Sequence, residues 1–192
     1  MLPYSIGNKK VGKDTLIFNM TSATNCPSRS LGLCNIGKKC YAMKAERLYK
    51  AVLPYRERQA QYWASHTAEE IEGDLVNALK KHPEVFFIRF SEAGDFKTQE
   101  DVDKLIEIAE CLKQDVPEVV IYGYTARKDL CFIDRPSNLI IQGTYFKIDN
   151  MFIPTKPKVY DRLTKVVKCK GACQGCLICK TSTGAKIYVR EH

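Results

Sequence analysis

The sequence predicts an α/β protein, built as a partial (β/α) barrel or as an open parallel sheet, with a cysteine-rich loop near each end. Short apolar runs alternate with longer segments in which apolar residues recur at helical spacing. This alternation is typical of βαβ units with right-handed crossovers. Too few strands are predicted for a closed eight-stranded barrel. Seven of the nine cysteines fall into two dense groups, which sets the two loops apart.

Four apolar runs are predicted to be strands, at residues 16–20, 85–90, 119–124 and 139–141. The run 85–90 is apolar on both faces except for Arg89, as in parallel strands that helices cover. After residue 150 the pattern weakens. Pro154 and Pro157 indicate a loop, and short strands are expected at 165–168 and 186–190.

The helices are predicted from spacing and from their ends. One begins near Tyr41, and Pro54 is expected to end or kink it. Thr67 and Glu70 form a capping-box pattern, and residues 98–101 carry a second capping signal. We expect residues 1–150 to form the α/β core and residues 151–192 to form a cysteine-rich extension of the same domain.

Composition favours a globular protein in the cytoplasm. The opening residues lack the apolar centre of a secretory leader, and no apolar run has the length of a membrane span. Nine cysteines in a reducing compartment indicate metal binding rather than disulfides. The net charge of +8 indicates an anionic partner, and nucleic acid is one candidate.

The C-terminal cysteine loop, residues 169–179, has the spacing C-x3-C-x2-C-x2-C at Cys169, Cys173, Cys176 and Cys179. Zinc sites usually split their ligands into two distant pairs, whereas iron–sulfur loops run them together. The loop therefore favours a [4Fe-4S] cluster, with zinc as the alternative.

The N-terminal cysteine loop, residues 26–40, supplies Cys26, Cys34 and Cys40. Three thiolates leave one iron of a cubane cluster without a protein ligand. That iron could bind a small molecule, such as S-adenosylmethionine through its amino and carboxylate groups. The alternative is a structural cluster completed by a fourth ligand, such as Cys111, Cys131 or a cysteine of the other loop, although Cys111 and Cys131 are expected to be buried thiols.

Polar residues follow the predicted strands, where a parallel sheet places its ligand. The candidates for cofactor binding are Ser91, Glu92, Gly94, Asp95, Thr125 and Arg127. Glu92 and Asp95 could bind an amino group or a hydroxyl, and Arg127 could pair with a carboxylate or phosphate. The plainer interpretation is a polar turn with a surface charge.

Several motifs resemble the small "gene product 88-like" proteins of phages and bacteria. They are Cys26-Pro27, Cys40-Tyr41-Ala42, RFSEAGDF at 89–96 and YGYTAR at 122–127. The resemblance covers residues 19–179. A phage origin would place the protein in the cytoplasm of its host.

A broader resemblance is to radical SAM enzymes, which carry three cysteines after the first strand of a partial barrel. The spacing here is C-x7-C-x5-C instead of C-x3-C-x2-C, and residues 91–95 stand where those enzymes have a Gly-Gly-Glu stretch. This resemblance implies an enzyme that passes one electron to S-adenosylmethionine. The alternatives are a non-catalytic iron–sulfur protein that binds nucleic acid or a host protein, and a zinc-stapled module.

Overall fold

One sheet organises the fold. The computed structural model describes residues 1–191, apart from the side chain of Lys38. Within this part of the chain the strands are β1 (Ser5–Ile6), β2 (Thr15–Phe18), β3 (Phe87–Phe90), β4 (Val120–Thr125), β5 (Leu139–Thr144), β6 (Asn150–Thr155), β7 (Val167–Lys168) and β8 (Lys186–Arg190). Their spatial order is β1-β2-β3-β4-β5-β6-β8-β7, and every neighbouring pair is parallel except β1 with β2. The mixed α/β class is confirmed, and the sheet does not close into a barrel.

Along the sequence, five of the six α-helices in the described residues lie between β2 and β4. The six are α1 (Pro27–Ser30), α2 (Tyr41–Leu48), α3 (Val52–Ser65), α4 (Ala68–Lys81), α5 (Gln99–Asp115) and α6 (Pro157–Arg162). None of the helices in residues 1–191 is long and apolar enough to cross a bilayer.

Two helix ends match the sequence pattern and one does not. The capping box of α4 is confirmed, since the Thr67 hydroxyl accepts from the Glu70 amide and the Glu70 carboxylate accepts from the Thr67 amide. The start of α2 at Tyr41 is also confirmed. The prediction for Pro54 was wrong: it lies in the first turn of α3, where a missing amide hydrogen costs no helical hydrogen bond.

One face of the sheet, which we call the outer face, carries the hydrophobic core. Alternate residues of a strand point to opposite faces, so Leu16, Ile88 and Ile121 form one row on this side. All three are buried in one cluster with apolar residues of α4 and α5, such as Leu75 and Leu105. Burying each such side chain contributes about 1.5–3 kcal/mol, so this layer is the main source of stability.

The inner face is covered differently from what the sequence predicts. Its middle row is Ile17, Arg89, Tyr122 and Ile140. Helices α4 and α5 pack on the other face, and Arg89 of this row reaches α2 through the Tyr41 hydroxyl. The C-terminal cysteine loop lies on this face instead, and Gln142 Nε2 donates to its Cys179 carbonyl at 2.9 Å.

The strands after residue 150 complete the same sheet. Pro154 was predicted to lie in a loop, but it lies within β6 and pairs with Val189 of β8. Proline is rare inside a sheet because it donates no ladder hydrogen bond, so its presence obscures the strand in the sequence. The predicted strand 186–190 is confirmed as β8, and 165–168 is confirmed only as the two-residue β7.

Candidate functional site

A cavity of about 490 Å³ lies at the carboxyl ends of the parallel strands. Residues that follow β2, β3 and β4 line it, together with the last residues of β5, β6 and β8. Open parallel sheets bind their ligands at this edge, and the volume is in the range of small-molecule sites, about 300–1,000 Å³.

Both cysteine loops reach this cavity. Its lining includes five of the seven predicted ligand cysteines, namely Cys26, Cys34, Cys40, Cys169 and Cys173. Cys176 and Cys179 line an adjoining cavity of about 30 Å³, which Cys169 and Cys173 also border. The structure therefore brings together, at one edge of the sheet, two loops that lie at opposite ends of the sequence.

The remaining two cysteines lie apart from both cavities. Cys111 is half-buried on α5, and Cys131 is exposed in the connection between β4 and β5. The expectation that Cys131 is a buried thiol was therefore wrong. Neither residue lines the space that the other seven share.

Glu46 of α2 anchors the chain just before the N-terminal cysteine loop. Its carboxylate accepts from the amides of Ala23 and Thr24 at 2.7 and 2.8 Å, and from the Thr24 hydroxyl at 2.8 Å. Arg56 of α3 pairs with it at 2.9 Å, and both side chains are nearly inaccessible, at 3% and 6% exposed. Although burial opposes it, these hydrogen bonds hold the pKa of Glu46 below its ordinary value.

Asp95 joins three parts of the sheet edge. Its carboxylate accepts from the Ser28 and Thr125 hydroxyls at 2.5 and 2.7 Å, and from the amides of Ala126 and Phe96 at 2.8 and 2.9 Å. Burial raises the pKa of Asp95, and the four hydrogen bonds oppose that rise. Predicted as a cofactor ligand, Asp95 uses its acceptor capacity to hold the N-terminal cysteine loop against β4.

Ser91 and Gly94, two other residues predicted to bind a cofactor, also have structural roles. The Ser91 hydroxyl accepts from the amide of Met20 at 3.1 Å. Gly94 has φ +76°, and a β-carbon there would collide with Thr21. Only glycine fits this close approach.

Glu92 and Arg127 differ in how they face the cavity. Glu92 lines it, accepts from Asn8 Nδ2 at 3.0 Å, and lies 3.8 Å from Arg56. Arg127 does not line it. Its guanidinium is bound to Asp129 at 2.7 Å and donates to the carbonyl of Phe96 at 2.6 Å. Thr125 lines the cavity but donates its hydroxyl to Asp95.

Sequence reasoning did not select Arg89 as a site residue. This side chain lines the cavity, donates from Nη2 to the Tyr41 hydroxyl at 3.3 Å, and lies over the Tyr124 ring at 5.3 Å. Its Nε is buried and has no hydrogen-bond partner among the described residues. The available signal was a single charge inside the apolar run 85–90.

The C-terminal cysteine loop is fixed mainly through its backbone and through Lys180, which follows it. The amides of Cys169 and Cys173 donate to the carbonyls of Tyr188 and Lys10, each at 2.8 Å. Lys180 is 3% exposed, with its ammonium 3.5 Å from the ring centroid of Phe87. The carboxylate of Asp14 is also 3.5 Å from that ammonium.

Thiolates are ligands for metal ions and for iron–sulfur clusters, but the thiols of these loops are not grouped around a position for one metal ion. Burial raises the pKa of Cys26 and of Cys179 to about 11, so both are protonated at neutral pH unless a cation stabilises the thiolates. Tetrahedral zinc holds its sulfurs about 3.8 Å apart, given bonds of about 2.3 Å. No three Cys, His, Asp or Glu side chains of the described residues are grouped closely enough to hold one ion.

Comparison with known proteins gives one match. The family model described as gene product 88 matches residues 4–153, which include the N-terminal cysteine loop but not the C-terminal one. No curated protein and no solved structure matches the chain. The comparisons do not extend to radical SAM enzymes, so that resemblance stays a prediction. The predicted division at residue 150, the zinc alternative and a nucleic-acid partner are likewise untested.

Proposed function

The chain belongs to the gene product 88 family, and we propose that this member is an iron–sulfur protein that binds a small molecule at its cluster. In this proposal Cys26, Cys34 and Cys40 hold a [4Fe-4S] cluster with one iron open to the cavity, and S-adenosylmethionine is the candidate ligand. The observation that supports it is the meeting of both cysteine loops at a cavity of about 490 Å³.

The proposed roles of the chain follow from the contacts at this edge. A bound cluster would supply one-electron chemistry, which no side chain offers at ordinary potentials. Glu46 and Asp95 fix the loop that carries Cys26. Tyr41 and Tyr124 line the cavity together with the cysteines, so their rings would border a bound cluster.

The C-terminal cysteine loop is proposed to hold a second cluster. Four thiols within eleven residues suit one compact inorganic centre. Zinc remains the alternative at this loop. In this role the loop would relay electrons or stabilise the inner face of the sheet that it covers.

The proposal is tested by the iron, sulfide and zinc contents of the anaerobically purified full chain. We expect iron and sulfide in equal amounts, with electron paramagnetic resonance of the reduced protein changing when S-adenosylmethionine is added. Cys34→Ser should lose the part of the signal that responds to the added molecule. Cys131→Ser is the matched control, because Cys131 is exposed and lies outside both cavities.

Three outcomes would contradict parts of the proposal. Colourless anaerobic protein containing only zinc would remove the iron–sulfur centre. An unchanged spectrum after addition would remove S-adenosylmethionine as the ligand. If reduced protein with S-adenosylmethionine yields no 5′-deoxyadenosine, radical chemistry is removed while cluster binding stands.

A further inference from the structure

We propose that the cavity binds its small molecule through an oxyanion, a carboxylate or a phosphate, held by the guanidinium of Arg89. The inference rests on the proposed function only in placing a ligand in this cavity, and it does not require iron. It is carried by the position of Arg89 and by the absence of an ion pair to its guanidinium among the described residues.

Arg89 lies at the centre of the inner face. It is the third residue of β3, with Ile17 and Tyr122 as its neighbours in the parallel register. From there its side chain lines the cavity together with cysteines of both loops. A ligand entering at the sheet edge would meet this guanidinium beside the proposed cluster site.

Three other guanidiniums of low exposure each have an acidic partner, and the half-buried Arg29 instead donates to the carbonyl of Thr24 at 2.7 Å. Arg56 is 2.9 Å from Glu46, and Arg127 is 2.7 Å from Asp129. Arg135, 15% exposed, is 3.0 Å from Asp149. Arg89 has no such ion pair within the described part of the chain. Removing a charge from water without a partner is costly, so this pattern indicates that a partner anion comes from outside the chain.

The acid closest to Arg89 along the chain does not fill this role. Glu92 follows three residues later, but its two carboxylate oxygens lie against Asn8, at 3.0 Å, and Arg56, at 3.8 Å. Asp95 also lines the cavity, and its carboxylate is occupied by four hydrogen bonds. Neither acid forms an ion pair with Arg89, although the charge of Glu92 is near enough to act on it.

The guanidinium is also held ready for a ligand. The ring of Tyr124 lies 5.3 Å from it, and Tyr41 accepts a hydrogen bond from Nη2 while donating its own proton to the Glu92 carbonyl at 2.6 Å. These two contacts restrict the side chain but use one of its five donor hydrogens on a described residue. The planar fork of arginine matches two oxygens of a carboxylate or phosphate.

Further positive charge lines the same cavity and would attract an anion. Lys10, Arg29, Lys39 and Arg190 all contribute to its wall. Lys39 and Arg190 already face carboxylates of Glu191 and Asp161, at 3.7 and 3.3 Å. The carbonyl of Lys10 accepts a hydrogen bond from the amide of Cys173, which fixes the Lys10 backbone beside the C-terminal cysteine loop. Of these cations, Lys10 and Arg29 would steer an anion inward, where Arg89 would hold it.

The competing explanation is that Arg89 balances the C-terminal cysteines. Arg89 lowers the pKa of Cys173, although burial has the larger effect and raises it. A cluster held by that loop would carry a net negative charge together with its four thiolates, so it could pair with the guanidinium. The experiment must therefore separate a soluble anion from a protein-bound one.

The test uses calorimetric titration of the anaerobic full chain at low salt, with inorganic phosphate and with succinate as separate probes. We expect saturable binding of at least one probe. Arg89→Gln should weaken it about tenfold or more, and Arg89→Lys should give an intermediate loss because it keeps the charge without the fork. Arg190→Gln is the matched control. It removes a cation from the wall of the same cavity, one that is 57% exposed and paired, and should change affinity less than about twofold.

A second readout on the wild-type chain needs no variant. The Nε–H resonance of Arg89, recorded with nitrogen-labelled arginine, should shift with the probe that binds. The proposal is overturned if neither probe binds saturably, or if Arg190→Gln and Arg89→Gln weaken binding equally. It is also overturned if the resonance responds to loss of iron but to neither probe, since the cluster is then the counter-ion. Iron content is measured on the same samples. If the anaerobically purified chain contains no iron but still binds the probe, the anion site is upheld, and the missing iron contradicts the proposed function.

Discussion

The two cysteine loops meet at one cavity but are held there by different means. The N-terminal loop is tied to the protein through buried carboxylates: Glu46 receives three hydrogen bonds from Ala23 and Thr24, and Asp95 receives one from Ser28. The C-terminal loop has mainly backbone hydrogen bonds and the side chain of Lys180.

This difference predicts that the two loops would depend to different degrees on a bound cofactor. A loop fixed by satisfied buried polar networks keeps its conformation without a ligand, because each broken bond would leave a buried group unpaired. The C-terminal loop has fewer buried carboxylate anchors, and a metal centre of the kind proposed above would add to its stability. We therefore expect the N-terminal loop to be preformed and the C-terminal loop to gain more from a bound cofactor.

The largest effect that this comparison predicts comes from removing the anchor of the N-terminal loop. Glu46→Ala should lower the free energy of unfolding by about 3–5 kcal/mol, because it leaves the buried Arg56 with only the more distant Glu92, at 3.8 Å, as an acidic partner. Urea denaturation followed by circular dichroism measures the loss.

Two further variants keep this prediction decisive. Asp161→Ala removes an acid whose pair with Arg190 is more than half exposed, and should change stability by less than about 1 kcal/mol. Glu46→Gln keeps the side-chain shape for the case in which the alanine variant does not fold. Equal losses for Glu46→Ala and Asp161→Ala would show that the loop is not anchored through this carboxylate.

The sequence predicts the fold better than it predicts the site, for a physical reason. Strands and helices on the outer face follow local hydrophobic periodicity, as in the stripe of α5 that buries Val102, Leu105 and Leu112. The strand β6 escaped detection because Pro154 interrupts its pattern. Local patterns of this kind need no knowledge of distant residues.

The site depends on distant contacts that no local pattern contains. The convergence of polar residues at the sheet edge follows from parallel topology, and it is present for Ser91, Glu92 and Thr125. The bond between Arg127 and Asp129, and the use of Asp95 as a structural link, depend on three-dimensional placement. The meeting of the two cysteine loops likewise required the order of all strands, from β2 to β8.

A smaller effect should appear on acidification. The pKa of Glu46 is lower in the folded chain than its unfolded value of about 4.3, so its charge stabilises the fold above that pH. This contribution is lost as the pH falls through the folded pKa. Comparing wild type with Glu46→Gln by urea denaturation isolates it from other acids. We expect a constant difference in stability from pH 7 to about pH 5, which shrinks below about pH 4. A difference that persists unchanged to pH 3 would contradict the assigned role of the carboxylate.

The smallest effect on overall stability concerns the anchor of the C-terminal loop. Lys180→Met replaces a buried ammonium by an apolar chain of similar length on the rings of Phe87 and Tyr122. Removing one partner of a buried pair is costly when the remaining charge is inaccessible to water, but here the remaining charge is Asp14, whose side chain is 24% exposed and can be hydrated. We therefore expect the free energy of unfolding to change by less than about 1 kcal/mol.

Hydrogen exchange at residues 173–181 should nevertheless become faster, because the ammonium no longer fixes the loop between Asp14 and the rings. Lys186→Met, at an exposed lysine of β8, is the control and should leave exchange in that segment unchanged. A loss above about 3 kcal/mol would show that this loop, like the N-terminal one, is part of the folded core, and the contrast between them would disappear.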